Sequence, residues 1–280
     1  MFFNTLINDW QTWANPITLS QNLRWHFPTV ISEQPHIFVL GAPRSGTTLV
    51  KLIIGVHPRL SGPGYETGIF MQKHWLFQFT RQGALTTQRR SESKDIVEFF
   101  DQFAQRKLEE EGGERYIEKT PPHVLRLPFL LKHFPNAQFI HTYRDGRDCY
   151  CSARKHQYVK QGRHLQTYAQ YWRRCVQTRL NLGEHPRIFD VGYEELVSAP
   201  EQVVPTIMNF LGETFTSEQL DASQYSKNRI STSRRPEFAK LSQPISAVSV
   251  GRWRKGLSDA DSQAFFSIAG SEMQQLGYEL

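Results

Sequence analysis

The chain is poor in cysteine, in long apolar runs and in basic runs, and each shortage argues against a class of protein. Its 280 residues hold three cysteines, Cys149, Cys151 and Cys175, an odd number with no C-x-x-C pair. That speaks against a disulfide framework and for a reducing, cytoplasmic setting. No run reaches the ~18 apolar residues of a membrane span, so none is expected. The opening MFFNTLINDWQTW carries Asp9 and no basic residue ahead of its apolar stretch, so it does not read as a secretory signal. Net charge is +6, yet there is no long Lys/Arg run and no zinc-finger or RNP-type pattern. Anionic partners are welcome on such a surface, but nucleic acid is not expected. No internal repeat is present. The hydrophobic fraction of 39% and the charged fraction of 21% are those of a globular protein long enough to bury a sizeable core. No shift of composition divides the chain, so one domain over residues 1–280 is expected.

The most informative absence lies in FVLGAPRSGTT, Phe38 to Thr48. Gly41 and Gly46 have the spacing of the phosphate-binding loop G-x-x-x-x-G-K-[ST], but Thr47 stands where the lysine belongs, and the only cation within the loop is Arg44. HIFVL before it reads as a buried parallel strand, and GTTLVKLIIGVHP after it as a helix ended by His57-Pro58. Strand, glycine loop and helix together are the context in which such a loop binds an anion. Backbone N–H groups around Arg44, Ser45 and Gly46 would face the ligand at the positive end of the helix, and Thr47 and Thr48 add hydroxyls. In an ATPase the lysine bridges the terminal phosphates and a strand-end Asp helps hold Mg²⁺. Here AQFIHTYR ends in Arg144, and Asp190 in RIFD is followed by VGYEEL. The loop therefore calls for a shorter anionic chain that needs no metal, such as a 5′-phosphosulfate.

Elsewhere the pattern alternates. Residues 1–34 read as an N-terminal helical extension with a connector, and Tyr65 to Phe79 as an aromatic-rich helix. Strands are expected in RYIEK, AQFIHTY and RIFDV. Helices are expected in DIVEFFDQFAQRKLEEE, VLRLPFLLKHF, DGRDCYCSARKH, TYAQYWRRCVQTRLNLG (ending at Gly183) and PEQVVPTIMNFLG (closed by Gly212). More helices follow in SDADSQAFFSIAGSEMQQLGY. Residues 221–257 are polar and rich in Ser, Arg and Pro, and read as a lid closing over a ligand. Such alternation predicts an α/β fold of three layers, P-loop-like, with a central parallel sheet flanked by helices.

Two further motifs carry chemistry. In TYRDGRDCYCS, Arg144 falls at the carboxyl end of a strand, where α/β proteins bind ligands, and Ser152 lies two turns into the next helix. Arg144 can clamp a second phosphate there, or pair locally with Asp145 or Asp148. GPGYETGIF brings Glu66, and IEKTPPH brings Lys119 and His123.

APRSGTT, YRDGRD with its following serine, YEELVSAPEQVVPTIMNFLG and SVGRWRKGL, taken together, resemble the sulfotransferases that use 3′-phosphoadenosine-5′-phosphosulfate (PAPS). The branch is the one with tyrosylprotein sulfotransferases and their bacterial relatives, and the likeness runs from about Phe38 to about Leu257. The resemblance implies that the loop cradles the 5′-phosphosulfate, with Arg44 in place of the lysine. It implies that Arg144 and Ser152 hold the 3′-phosphate, that Tyr193 lines the nucleotide site, and that Arg252 closes over it. Arg254-Lys255-Gly256 also spells the R-K-G triplet of cytosolic relatives. Glu66 aligns through its E-T pair with the base that takes the acceptor proton. Lys119, from an E-K-[TS]-P motif, would neutralise charge on the sulfonate or the bridging oxygen. His123 is the alternative base, as in cytosolic relatives, and otherwise an exposed residue at a helix start. The implied function is sulfonate transfer from PAPS to a hydroxyl acceptor, be it small molecule, lipid, glycan or peptide, with no metal; a homodimer is left open. The alternatives are a P-loop kinase-like phosphotransferase, which a magnesium requirement would favour, and a non-catalytic or nucleic-acid-binding module, which salt-sensitive DNA binding would favour.

Overall fold

The computed structural model describes residue 23 and residues 27–71, 93–228 and 244–280. β1 (Ile37–Gly41) is buried along its whole length, as a strand covered on both faces must be. It runs through the glycine loop into α1 (Thr47–Ile54). β2 (Leu60–Ser61) is a two-residue edge strand. In α2 (Ile96–Glu111) the Asp95 carboxylate accepts hydrogen bonds from the Val97 and Glu98 amides, which fixes where the helix starts. β3 (Arg115–Lys119) is followed by a 3₁₀ turn over Pro121–Arg126 and by α3 (Leu127–His133). Next come β4 (Gln138–Tyr143), α4 (Gly146–Ala153), α5 (Leu165–Leu180) and β5 (Ile188–Gly192). α6 (Tyr193–Ser198) and α7 (Pro200–Leu211) follow, the latter closed by Gly212 in the left-handed region. α8 (Trp253–Gly256) is a single turn, and α9 (Asp259–Gln275) is the last helix.

All strand pairs are parallel, in the order β2-β3-β1-β4-β5. Side chains alternate across the pleat. Phe38, Leu40 and Phe139 enter one apolar cluster with α2, α5 and α9, whereas Ile37, Val39 and Ile140 enter another with α1 and α7. The expected three-layer α/β fold is thus the one observed. The chain turns from β1 towards β3 on one side and later towards β4 on the other. The crevice at the carboxyl end of β1 is therefore the topological switch point, where open parallel sheets bind ligands.

Several local expectations need correction. β2 was not anticipated, because two residues are too few to show alternation. Residues 65–71 are a bend and a 3₁₀ turn at Ile69–Met71, not an α-helix, and the rest of that aromatic segment lies outside the described residues. α5 ends at Leu180, with Asn181 as its cap, before Gly183. The C-terminal segment is one helix rather than several. Most of the expected N-terminal extension, and residues 229–243 of the expected lid, also lie outside the described residues. All three cysteines are buried and free. Among the described residues no helix is long and apolar enough to cross a membrane.

Candidate active site at the switch point of the sheet

The glycine loop lies flush against β4 and the start of α6. A Cβ at Gly41 would sit 2.2 Å from the Thr142 carbonyl oxygen. At Gly46, where φ is +105°, it would sit 2.6 Å from the Tyr193 ring. Neither position accepts a side chain without moving the loop. Arg44 has φ 76°, the only positive value outside glycine among the described residues. That left-handed turn is held from outside. The Tyr168 hydroxyl donates to the Pro43 carbonyl, and the Ser45 and Thr142 hydroxyls meet at 2.8 Å. The Arg44 Nε donates to the Ser152 hydroxyl at 3.0 Å. No side chain caps the start of α1, so its first amides and the positive end of its dipole are presented to the crevice. Thr47 is buried in that turn, and Thr48 is half-buried.

Arg144 extends from the end of β4 and is only 4% exposed. Its guanidinium lies over the Tyr193 ring, 4.0 Å from the centroid. Its Nη2 donates to Asp148 Oδ2 at 3.3 Å and to the Ser249 carbonyl, and its Nε is buried with no partner. Arg252 Nε donates to the same Ser249 carbonyl at 3.2 Å. Two guanidinium groups 108 residues apart in the chain therefore share one neutral oxygen. Two cations on one carbonyl, one of them with an unused N–H, suit an anion, since a buried donor without a partner is costly.

Asp148 of the RDGRD motif has a function that was not evident in its local sequence. It is fully buried and accepts from the Gly251 and Trp253 amides, each at 2.8 Å. It thus pins residues 249–253 over Arg144. Arg147 braces the same segment: it pairs with Asp145 at 2.8 Å, and its guanidinium lies 3.6 Å from the Trp253 ring centroid. Local pairing of Arg144 is thus observed, with Asp148 and not with Asp145. Ser152 accepts from Arg44, so it ties the loop to α4. Arg254 is exposed and rests 4.8 Å from the Trp253 ring. Of the basic residues at 252–255, Arg252 is the one drawn to the carbonyl that Arg144 also holds.

Across the crevice, Lys119 ends β3 and donates to Glu66 Oε1 at 2.7 Å. The ammonium is almost wholly buried, whereas the Glu66 side chain is 47% exposed. A buried cation thus holds an open carboxylate at the mouth of the site. His123 departs from expectation: it is not an exposed residue but 1% exposed. Burial, with repulsion from Arg126, pushes its pKa down to about 3, so the ring is neutral. It packs edge-on against Phe70, with Nδ1 3.7 Å from Glu118 Oε1. Asp190, the acidic residue nearest the end of β5, is engaged elsewhere, by His141 at 2.7 Å and by two bonds from Arg179 at 3.0 and 2.6 Å. Among the described residues no three or more His, Cys, Asp or Glu side chains are grouped to hold a metal.

The sulfotransferase family model matches residues 35–217, a span that takes in the loop, Glu66, Lys119, Arg144, Ser152 and Tyr193. The chain belongs to the sulfotransferase family. Among its relatives, protein-tyrosine sulfotransferase 1 of Danio rerio is 27% identical over 265 residues, 88% of this chain and 73% of that protein. Protein-tyrosine sulfotransferase 2 of Gallus gallus is 30% identical over 201 residues, 67% of this chain and 54% of that protein. The second match thus leaves nearly half of that relative without a counterpart here. Among solved structures, the sulfotransferase domain of the Synechococcus PCC 7002 olefin synthase superposes with a TM-score of 0.72 at 23% identity, covering 91% of this chain and 99% of that one. Mouse sulfotransferase SULT7A1, solved with PAP, superposes with a TM-score of 0.54 at 16% identity, covering 94% and 91%. These structures share the fold of this sulfotransferase, and the family match does not favour the kinase-like alternative.

Proposed function

We propose that this sulfotransferase carries a sulfonate group from PAPS to a hydroxyl acceptor, with Glu66 as the base. The observation that carries the reading is the Glu66–Lys119 ion pair, at the end of β3 in the crevice that also holds the glycine loop. The residues fit the donor. The uncapped start of α1, with Ser45, Gly46, Thr47 and Thr48, suits the 5′-phosphosulfate. Arg144, with its unpartnered Nε and with Tyr193 beneath it, suits the 3′-phosphate, and Arg252 closes from above. In the transfer, the acceptor oxygen bonds to sulfur as the bond from sulfur to the bridging phosphate oxygen breaks, and the acceptor proton passes to the Glu66 carboxylate. Lys119 and Arg44 stabilise charge on the sulfonate and the departing phosphate. Like phosphoryl transfer, such a reaction depends on positioning and charge stabilisation. Four cations, Arg44, Lys119, Arg144 and Arg252, are assigned to the donor, so no metal is assigned a role. The named relatives make tyrosine-bearing peptides and simple phenols the first acceptors to try, ahead of sugars and lipids.

The reading is tested with the donor product and its analogues. At equal concentration, adenosine 3′,5′-bisphosphate should raise the melting temperature more than 5′-AMP or ATP, and Arg144→Ala should erase that difference. Equal shifts from all three ligands in the unmodified protein would remove the 3′-phosphate site. Incubation with ³⁵S-labelled PAPS and a panel of phenols, peptides, sugars and lipids then identifies the acceptor.

A further inference from the structure

Glu66 sits on a short segment, residues 62–68, that lacks regular secondary structure. A base on such a segment needs something to hold it. The holding groups are two buried charged side chains that the transfer itself does not use. At one end, the Lys51 ammonium of α1 donates to the Gly62 carbonyl at 2.9 Å, although Lys51 is only 2% exposed. At the other end, Glu118 of β3 is fully buried, and its Oε1 accepts from the Thr67 hydroxyl at 2.8 Å and from the Thr120 hydroxyl at 2.6 Å. Thr120 in turn accepts from the Gly68 amide at 3.1 Å. Thr67 and Thr120 are the neighbours in sequence of Glu66 and Lys119. One carboxylate therefore joins the residue after the base to the residue after its cation.

We infer that Glu118 is a positioning residue, which with Lys51 as second anchor fixes the 62–68 segment so that the Glu66 carboxylate meets Lys119 at the mouth of the crevice. The inference rests on the reading of Glu66 as the base. The two anchors come from α1 and β3, the elements that also carry Thr47, Thr48 and Lys119. Base and donor site are thus held in one frame, and such alignment governs transfer rates steeply.

Glu118 also links the frame to pH. Burial pushes its pKa up to about 7, against the hydrogen bonds from Thr120, Thr67 and Tyr116 and the charge of Lys119. The other groups facing it are neutral His123, the neutral phenol of Tyr65 and, through its charge, Lys51. Lys51 is itself pushed down to about 8, by burial and then by Lys119. Burial favours the acid and the two hydroxyl donors favour the carboxylate, so the hold on the segment changes as pH passes through about 7.

Three measurements test this in the full chain. In Glu118→Gln, amide exchange across residues 62–69 should quicken roughly fivefold to tenfold, the scale of one lost hydrogen bond, while exchange in β1 and α1 stays as before. The melting-temperature shift from adenosine 3′,5′-bisphosphate should persist. With the acceptor found by labelled PAPS, kcat should fall roughly tenfold to a hundredfold with KM for PAPS little changed. The limb of the kcat profile near pH 7 should disappear with it. Thr67→Val, a milder change at the same joint, should show the same exchange pattern should the glutamine variant fail to fold. Unchanged exchange over 62–69 in Thr67→Val, or a Glu118→Gln enzyme with full kcat and the original pH limb, would overturn the inference. Glu66→Gln run alongside separates the two readings: if that variant is inactive while Glu118→Gln is normal, only the positioning role falls. If Glu66→Gln is fully active, the base assignment falls first.

Discussion

Glu66→Gln is expected to lower kcat roughly 10²–10⁴-fold, the usual scale for loss of a general base. Affinity for adenosine 3′,5′-bisphosphate should barely change. The amide keeps the shape of the side chain but cannot take the acceptor proton. The nucleotide groups are assigned across the crevice, to the loop and to Arg144. His123→Ala serves as the comparison. Its ring is buried and uncharged, so its loss leaves a cavity beside Phe70 and acts on stability more than on the chemical step. The outcome that sinks the assignment is the reverse one, with His123→Ala inactive at normal stability and Glu66→Gln active.

Lys119→Met should cut kcat by roughly 10²–10³-fold, the scale of removing one preorganised donor from a site of developing charge. The variant keeps most of the apolar stem of a side chain that is almost wholly buried, so the fold should survive. The distinguishing quantity is the split between kinetic constants. Lys119 is assigned to charge that develops on the sulfonate, so kcat should fall far more than the affinity for adenosine 3′,5′-bisphosphate, which carries no sulfonate. A variant with normal kcat and only a raised KM for PAPS would make Lys119 a binding residue and leave the developing charge to Arg44 alone.

The parts of this molecule that were legible in its sequence share a cause. The glycine loop, the buried strands and the strand-end residues Lys119 and Arg144 are set by spacing within a dozen residues, and parallel strands under helices announce themselves as short apolar runs. What stayed hidden depends on contacts between distant segments. Asp148 looks like an ordinary acidic residue of a first helical turn, yet its partners are amides 103 and 105 residues away. Glu118 and Lys51 are charged residues in apolar surroundings, which sequence alone reads as solvent-facing; their burial follows from partners on other elements. His123 misled in the same way, since the Pro-Pro start of its turn resembles an exposed helix entry. Ser152 was placed correctly on α4, but its partner, Arg44, could not be read from a separation of 108 residues.

The left-handed backbone at Arg44 sets heat resistance against turnover. A non-glycine residue in that region carries a strain of roughly 1–3 kcal/mol, tolerated because its surroundings hold it. Glycine there would relieve the strain, and the chain would gain in the folded state. It would also lose the only cation in the loop. A library bred solely for resistance to heating would therefore drift towards glycine at this position and accumulate robust, idle protein. Selection has to reward product at every round, or the sturdiest descendants will be those that have abandoned the reaction.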